Sequence, residues 1–303
     1  SDTNATFTGA LDREPGQNVD TYAIGQGTLA VVGSNYTMSF VPNDFSITAK
    51  PITVTPDAGQ TKAFGASDPL PFTYTHTALV GEDAISGTLG RVLGEDVGPY
   101  AYTLGSLDAG TNYSLSMASN PATFSITVKT ITITPNAGQT KVFGADDPTL
   151  TYTHTALDGE DAISGTLGRA LGENVDAYAY TLGSLDAGAN YTLIMASNPA
   201  TFSITAKSIT VTADAGQSKV LGAADPIFTY TSSDPAATFS GALDRAGGED
   251  VGTYAIGQGT LDAGTNYSIT FVSSLFTITP PLDDYTLTLT PDEHGSIAAD
   301  PIY

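Results

Sequence analysis

Four arginines at matching places in the chain are the polar residues best suited to bind a ligand. They end the pattern Gly-(Ala/Thr)-Leu-(Asp/Gly)-Arg, at Arg13, Arg91, Arg169 and Arg245. The last three are followed four residues later by Glu95, Glu173 and Glu249. A guanidinium binds a carboxylate through two parallel hydrogen bonds, so each arginine could clamp an acidic ligand or pair internally. We favour the internal pair, because the glutamate recurs together with the arginine.

Histidines and clustered acids are the other groups that could do chemistry. His76 and His154 occupy equivalent places, and His294 is the third histidine of the chain. They form no Ser-His-Asp set and no metal-spaced pair. Calcium needs six to eight oxygens, and no Asp-x-Asp-x-Asp-Gly loop occurs around acidic pairs such as Glu82–Asp83 or Asp146–Asp147. The sequence therefore predicts no catalytic, cofactor-binding or metal-binding residue and no enzyme activity. Calcium at the junctions between repeats stays open as an alternative.

Tyrosines and asparagines also recur at fixed places. One tyrosine follows each arginine by nine residues, and a second follows an asparagine, at Tyr36, Tyr113, Tyr191 and Tyr267. Such tyrosines could form an aromatic binding face, but a buried ring with its hydroxyl bonded to backbone is the commoner arrangement, and we favour it. Five asparagines lie in Asn-x-Ser/Thr triplets, at Asn4, Asn35, Asn112, Asn190 and Asn266. For the four that precede tyrosine we expect a role in a turn rather than glycosylation.

Composition excludes several classes of partner. The formal net charge is -22, with ten Lys plus Arg among 303 residues. A chain this acidic repels nucleic acid and anionic membranes, and its charge favours solubility. Cysteine is absent, which excludes disulfides and thiolate sites. No apolar run reaches the roughly 18 residues of a membrane span. The expected partners are an unknown surface ligand or neighbouring copies of the chain.

The chain is built from tandem repeats. Phe-Ser-Ile-Thr-Ala-Lys at 45–50 returns in close variants at 124–129, 202–207 and 276–279, a period of about 78 residues. Fixed-period similarity of this kind indicates repeated domains. We divide the chain into the later part of a first repeat, three complete repeats and the start of a different β module, at 1–49, 50–128, 129–206, 207–280 and 281–303. The first and fourth repeats share Tyr-Ala-Ile-Gly-Gln-Gly-Thr-Leu, while the middle two form a second type.

Local patterns within a repeat predict β-strands. Segments such as Ile52-Thr-Val-Thr and Phe276-Thr-Ile-Thr alternate apolar and hydroxyl residues, which is the period of a half-buried strand. We predict an all-β tandem array of small antiparallel domains, either sandwich-like or β-grasp-like. The best candidate for a short helix is 78–85. The junctions lack Gly/Ser-rich linkers, which favours an extended rod.

The residues of the fourth repeat resemble a known family. Ile209-Thr-Val-Thr-Ala-Asp-Ala-Gly-Gln-Ser-Lys, the stretch 241–256 and the stretch 261–271 are similar to MBG-type repeats of large bacterial surface proteins. The family's Tyr-Gly is replaced by Phe64-Gly65, Phe143-Gly144 and Leu221-Gly222. Residues 285–303 are similar to the start of a Listeria–Bacteroides-type repeat. The resemblance implies an exported scaffold or adhesive role and supplies no catalytic residues.

We therefore expect a stalk or adhesive segment of a large bacterial surface or secreted protein, and assembly into an extracellular fibre is compatible with that role. A repeated glycan- or protein-binding module and an accessory region of a secreted enzyme are the alternatives. Residues 1–49 lack counterparts of the opening strands, so an apolar strand face there should be open. A truncated view of a longer chain explains this most simply. Donation of a strand by 285–303 of another copy, through Leu287 and Leu289, is the second hypothesis.

Overall fold

The computed structural model describes residues 4–282, and every regular element in that range is a β-strand. The helix expected at 78–85 is wrong, because Val80 to Asp83 forms a turn closed by the amide of Asp83 and the carbonyl of Val80. The interior Gly81 adopts φ +60°, which no α-helix tolerates.

With no helix in the described range, no membrane-spanning helix is found there. The β module expected at 281–303, including Leu287 and Leu289, lies almost wholly outside the described residues.

Each repeat contributes its own set of strands. The first contains β1 (Phe7–Thr8), β2 (Asp12–Arg13), β3 (Asp20–Gly25), β4 (Ala30–Val31) and β5 (Asn43–Ile47). The second contains β6 (Lys50–Pro56), β7 (Thr61–Ala63), β8 (Tyr74–His76), β9 (Gly90–Arg91), β10 (Gly98–Thr103), β11 (Tyr113–Met117) and β12 (Thr123–Thr127). The third contains β13 (Lys129–Pro135), β14 (Thr140–Val142), β15 (Tyr152–His154), β16 (Gly168–Arg169), β17 (Asp176–Thr181), β18 (Tyr191–Met195) and β19 (Thr201–Thr205). The fourth contains β20 (Lys207–Ala213), β21 (Ser218–Val220), β22 (Tyr230–Ser232), β23 (Asp244–Arg245), β24 (Gly252–Gly257), β25 (Tyr267–Val272) and β26 (Leu275–Thr279).

A complete repeat consists of two mixed sheets. In the second repeat the strand orders are β11-β6-β8 and β7-β12-β10-β9, and the third and fourth repeats reproduce both orders. The pairs β6–β8, β9–β10 and β10–β12 are antiparallel, whereas β6–β11 and β7–β12 are parallel. The all-β tandem arrangement is confirmed, with the addition that each sheet holds one parallel pair. The helix that a β-grasp requires is not present between residues 4 and 282.

The alternating strands bury one row of side chains between the two sheets. Ile52 and Val54 of β6 are fully buried, while the threonines between and after them face outwards to varying degrees. Val54 packs in one cluster with Phe124 and Ile126 of β12, so the core joins both sheets. The period-two pattern of the sequence therefore places the apolar residues as predicted.

The chain divides into two compact units, and the division passes through the third repeat. One unit consists of 4–133 with His154–Gly165 and Leu185–Ile194, so it contains the first two repeats and part of the third. The other consists of Thr134–Thr153, Thr166–Ser184 and 195–282, so it contains the rest of the third repeat and the fourth. Each unit therefore includes contacts between successive repeats.

Among the described residues 4–49 the first repeat shows no counterparts of β6, β7 and β8, and its three-stranded sheet has the order β2-β3-β5. Phe45 of this sheet is 45% exposed, whereas its equivalents Phe124, Phe202 and Phe276 are completely buried. The open apolar face that the sequence predicts for residues 1–49 is thus seen in the described part of that repeat.

Candidate functional site

Four side chains form a compact ion cluster in the second repeat: Lys62, Asp68, Arg91 and Glu95. Arg91 donates from Nε and Nη2 to the two oxygens of Asp68, at 2.7 and 3.0 Å, and from Nη2 to Glu95 Oε1 at 2.6 Å. Lys62 Nζ lies 2.8 Å from Asp68 Oδ1 and also contacts Glu95. Two cations thus alternate with two carboxylates, and the cluster is neutral.

The same ion cluster is present in the third and fourth repeats. Its members are Lys141, Asp147, Arg169 and Glu173, and then Lys219, Asp225, Arg245 and Glu249. The lysine and arginine side chains are only 5–7% exposed in all three clusters, whereas the glutamates face solvent. Buried cations require carboxylate partners, so the clusters are structural components of each repeat.

The arginine is also held by its aromatic and backbone surroundings. The Arg91 guanidinium carbon lies 5.1 Å from the ring centroid of Tyr100 and 5.2 Å from that of Phe124. Arg91 Nη1 donates to the carbonyl of Gly94 at 2.6 Å. Gly94 adopts φ +148°, and a Cβ there would come within 2.3 Å of the Tyr100 ring, so this turn requires glycine. The guanidinium is therefore fixed on every side.

These contacts keep all four groups charged. The hydrogen bond from Arg169 lowers the pKa of Asp147 to about 2, despite the opposing effect of burial. The carboxylate partners raise the pKa of Lys141 above its usual value, and the hydrogen bonds with Asp147 do the same for Arg169. A protonated lysine is no nucleophile, and both carboxylates are already bound by two cations, so the charges of the cluster are used within the fold.

A surface groove of about 420 Å³ lies beside the cluster of the third repeat. Asp147, Arg169 and Glu173 line it together with Leu171, whose side chain is 99% exposed. The charged side chains of the cluster that line this groove already pair with one another. The groove therefore offers a ligand no unpaired charged group from the cluster.

The predicted arginine–glutamate pairs are confirmed in the three complete repeats. The lysine and the aspartate of each cluster were not predicted from the sequence. A signal for them exists, because Lys62, Lys141 and Lys219 each precede their aspartate by six residues. Arg13 of the first repeat donates to the carbonyls of Glu14 and Gly16, as Arg91 does to those of Val92 and Gly94.

A second recurring arrangement joins one repeat to the next. Asn190 at the start of β18 accepts a hydrogen bond from the Val97 amide at 2.9 Å, and its Nδ2 donates to Asp96 Oδ1 at 2.9 Å. These partners belong to the preceding repeat, 93 and 94 residues away in sequence. The side-chain amide thus bridges two repeats, and we name this arrangement the asparagine latch.

The asparagine latch occurs at three junctions. Asn112 binds the Val19 amide and Asn18, and Asn266 binds the Val175 amide and Asn174, with all four distances between 2.8 and 3.0 Å. The backbone carbonyls of the latch residues also accept from the first strand of their own repeat, at Lys50, Lys129 and Lys207. One residue therefore holds the strand junction and the neighbouring repeat together.

Aromatic residues extend two of these junctions. Phe64 meets Tyr191 of the next repeat edge-to-face, with ring centroids 5.3 Å apart, and Phe143 meets Tyr267 at 5.4 Å. A Cβ at Gly65 would lie 2.6 Å from Asp158 Cγ, so the glycine allows close approach of the following repeat. The Phe-Gly pair therefore belongs to the junction as well as to the repeat that carries it.

For the first set of tyrosines the predicted bond from hydroxyl to backbone is confirmed, although the rings are half-buried rather than buried. The role of the asparagines extends beyond a turn. Tyr22, Tyr100, Tyr178 and Tyr254 donate to backbone carbonyls four residues earlier. The latch was missed, because its partners lie in another repeat and leave no local pattern.

His76 and His154 are exposed, and each ring nitrogen Nδ1 contacts the carbonyl of the next residue. Among residues 4–282 no group of three or more His, Cys, Asp or Glu is placed to hold a metal.

Four consecutive stretches of the chain match the family model described as the MBG domain of the YGX type: 1–46, 52–125, 131–203 and 209–277. Because these matches cover most of the chain, the protein belongs to this family. The resemblance seen in the sequence is confirmed. Repeats of this family are structural rather than catalytic, and they are typical of large surface and adhesin-like proteins. Comparison with curated proteins and with solved structures finds no match for this chain.

Proposed function

We propose that the chain is a stalk segment of a large bacterial surface or secreted protein, in which tandem MBG repeats hold an adhesive region away from the cell. The asparagine latch carries this proposal. It recurs at three successive junctions with the same donor and acceptor atoms, as expected of a chain that must resist bending between its domains.

The ion clusters support a structural role rather than a repeated ligand site, because their charged groups pair with one another. Arg91, Arg169 and Arg245, which could have clamped a ligand, are each already bound to two carboxylates. The first tyrosine of each repeat uses its hydroxyl within the fold, so the aromatic binding face that would favour a glycan-binding module is not observed at these positions.

Small-angle X-ray scattering tests the stalk. A 78-residue domain is about 30 Å across, so four in line span about 120 Å and give a radius of gyration near 35 Å. A single compact chain of this length would give about 19 Å. We expect the larger value, together with loss of rod-like scattering when Asn112, Asn190 and Asn266 are all replaced by alanine. A radius near 20 Å for the unaltered protein would refute the stalk.

A further inference from the structure

Two links connect the third repeat to the fourth. The closing strand β19 ends at Thr205 and the opening strand β20 begins at Lys207, so a single residue joins them covalently. Asn266 forms the second link, because its side chain binds the Val175 amide at 2.8 Å and the Asn174 side chain at 3.0 Å. A pull along the chain therefore acts on one covalent and one hydrogen-bonded connection.

The two links lie side by side at both of their ends. In the third repeat β17 begins directly after Val175 and pairs antiparallel with β19, so Val175 lies beside the end of β19. In the fourth repeat β20 and β25 are parallel, with Lys207 opposite Tyr267. The Lys207 amide also donates to the carbonyl of Asn266 at 3.0 Å. The latch thus joins β17 to β25 next to the place where the chain joins β19 to β20.

The parallel pairing of β20 with β25 brings the two links together. Because the two strands run in the same direction, both begin at the end of the repeat that receives the chain from the preceding one. An antiparallel partner of β20 would begin at the opposite end, roughly 20 Å away for a strand of six residues. An asparagine directly before such a strand could not reach the third repeat, so the latch depends on the parallel pair.

Tension along the chain favours sliding of β20 along β25. The hydrogen bonds of this pair join 207–212 to 267–272 and run between the strands rather than along them. A lengthwise pull on β20 therefore strains these bonds together. The latch opposes the same movement, because β20 can follow the third repeat only if β25 is left behind, and Asn266 holds β25 to the third repeat.

We propose that each asparagine latch shares tension between the two neighbouring strands at the start of its repeat, so that the latch must break before the opening strand can slide out. The first junction has the same construction. Asn112 binds the Val19 amide, which lies beside the end of β5. Its carbonyl accepts from the amide of Lys50 at the start of β6, the parallel partner of β11.

This inference deepens the proposed function and rests on it only for the source of the tension, which is the pull on a stalk that holds an adhesive region. The sharing of tension follows from the junction itself and applies to any pull along the chain. Scattering tests whether the chain is extended, whereas the experiment below tests how its repeats respond to pulling. The two can therefore fail separately.

Unfolding of the full chain at constant force, with the chain held at its two ends, tests the proposal through two matched triple variants. The latch variant carries Asn112→Ala, Asn190→Ala and Asn266→Ala. The control carries Gln60→Ala, Gln139→Ala and Gln217→Ala. These glutamines also bind backbone groups through a side-chain amide, but each does so within its own repeat. Unfolding in urea gives the rates without tension, and circular dichroism establishes that both variants are folded.

We expect the latch variant to unfold about tenfold faster than the wild type at a fixed force, which corresponds to the net contribution of about one hydrogen bond at each junction. Without tension its unfolding rate should rise about threefold or less, because no pull then directs the movement through the latch. The control should be accelerated by the same factor with and without tension, since its amides form no second link between repeats.

The ratio of the two accelerations separates shared tension from simple stabilisation. A latch variant that is accelerated equally with and without tension, or that is not accelerated under tension, would overturn the proposal. A control that responds to tension as the latch variant does would also overturn it. The single variants Asn266→Ala and Gln217→Ala give the same comparison if a triple variant does not fold.

Discussion

Asn190 and Asp96 meet side chain to side chain although 94 residues separate them, with Asn190 Nδ2 donating to Asp96 Oδ1 at 2.9 Å. The corresponding partner of Asn266 is the uncharged Asn174. The two junctions therefore share one geometry and differ in one ionisable group. This difference allows the contribution of the junction to be measured by substitution.

Asn190→Asp should weaken its junction more than Asn266→Asp weakens the next. The new carboxylate at 190 faces that of Asp96, whereas a carboxylate at 266 can accept a hydrogen bond from the reoriented amide of Asn174. We expect a loss of about 1–2 kcal/mol for Asn190→Asp at neutral pH from the like-charge contact. Thermal unfolding and hydrogen exchange at the Val97 amide measure it. Equal losses in both variants would contradict this explanation.

Asp147→Asn should destabilise the third repeat far more than Asp146→Asn. Asp147 pairs with the buried cations of Lys141 and Arg169, whereas its exposed neighbour takes no part in the cluster. We expect a cost of about 1–3 kcal/mol, below that of a fully buried pair, because the Asp147 side chain is 38% exposed and partly screened. Urea unfolding of the two single variants gives the comparison. Similar midpoints would show that the cluster contributes little.

Acid should weaken the protein between about pH 4 and pH 2. The pKa of Asp147 falls to about 2 and those of Asp68, Glu95 and Glu249 fall below their usual values, mainly through hydrogen bonds from lysine and arginine. A carboxyl whose folded pKa is depressed stabilises the fold above its unfolded pKa, and that contribution is lost as pH falls through the folded pKa. The pKa values of Lys62 and Lys219 are raised in the folded protein. Both lysines therefore stabilise the fold at every pH below their unfolded pKa, and this stabilisation is lost as pH rises through the folded pKa.

Melting temperatures measured from pH 2 to pH 11 should therefore show a broad maximum with a steep acid limb. Protonation also relieves repulsion across the acidic surface, which acts in the opposite direction. Asp147→Asn separates the two effects, since it removes one cluster carboxylate and keeps nearly all of the surface charge. Its acid limb should be shallower than that of the wild type, and an unchanged limb would assign the acid sensitivity to other groups.

Phe124→Ala should be much more costly than Phe45→Ala. Phe124 is completely buried between two sheets, whereas Phe45 is 45% exposed on the open sheet of the first repeat. Removing a buried phenylalanine costs about 3–5 kcal/mol, and we expect less than half of that at Phe45. Urea unfolding followed by hydrogen exchange in each repeat gives the local losses. Comparable losses would mean that another segment covers Phe45 in solution.

The strands and the repeat type were predictable because they rest on local patterns. Alternation along Ile52–Thr55 identifies the buried face, and the four-residue spacing between Arg91 and Glu95 identifies one ion pair. The parallel pairing was not predicted, because nothing within β7 specifies that it lies beside β12. A turn closed between Val80 and Asp83 takes the place of the helix expected at 78–85, because Gly81 adopts φ +60°.

The remainder of the site depends on contacts across the fold. Lys62 reaches Glu95 only because β7 joins the sheet that also contains β9, a relationship with no signature at either residue. The latch of Asn190 depends on the backbone amide of Val97 in another repeat. A backbone amide is not specific to one residue type, so the sequence does not mark it as a partner. Recurrence marked Asn190 in the sequence but its role came from the three-dimensional structure, and Lys62 was not predicted at all.

All ten lysines and arginines of the chain lie within β-strands, at Arg13, Lys50, Lys62, Arg91, Lys129, Lys141, Arg169, Lys207, Lys219 and Arg245. Proteases bind their substrates as flexible extended segments, and loops supply such segments most readily. A trypsin-like protease therefore finds none of its cleavage residues in a loop of this chain, and it must wait for a strand to open. Placing every cation in a sheet should therefore slow digestion of the folded chain by such a protease.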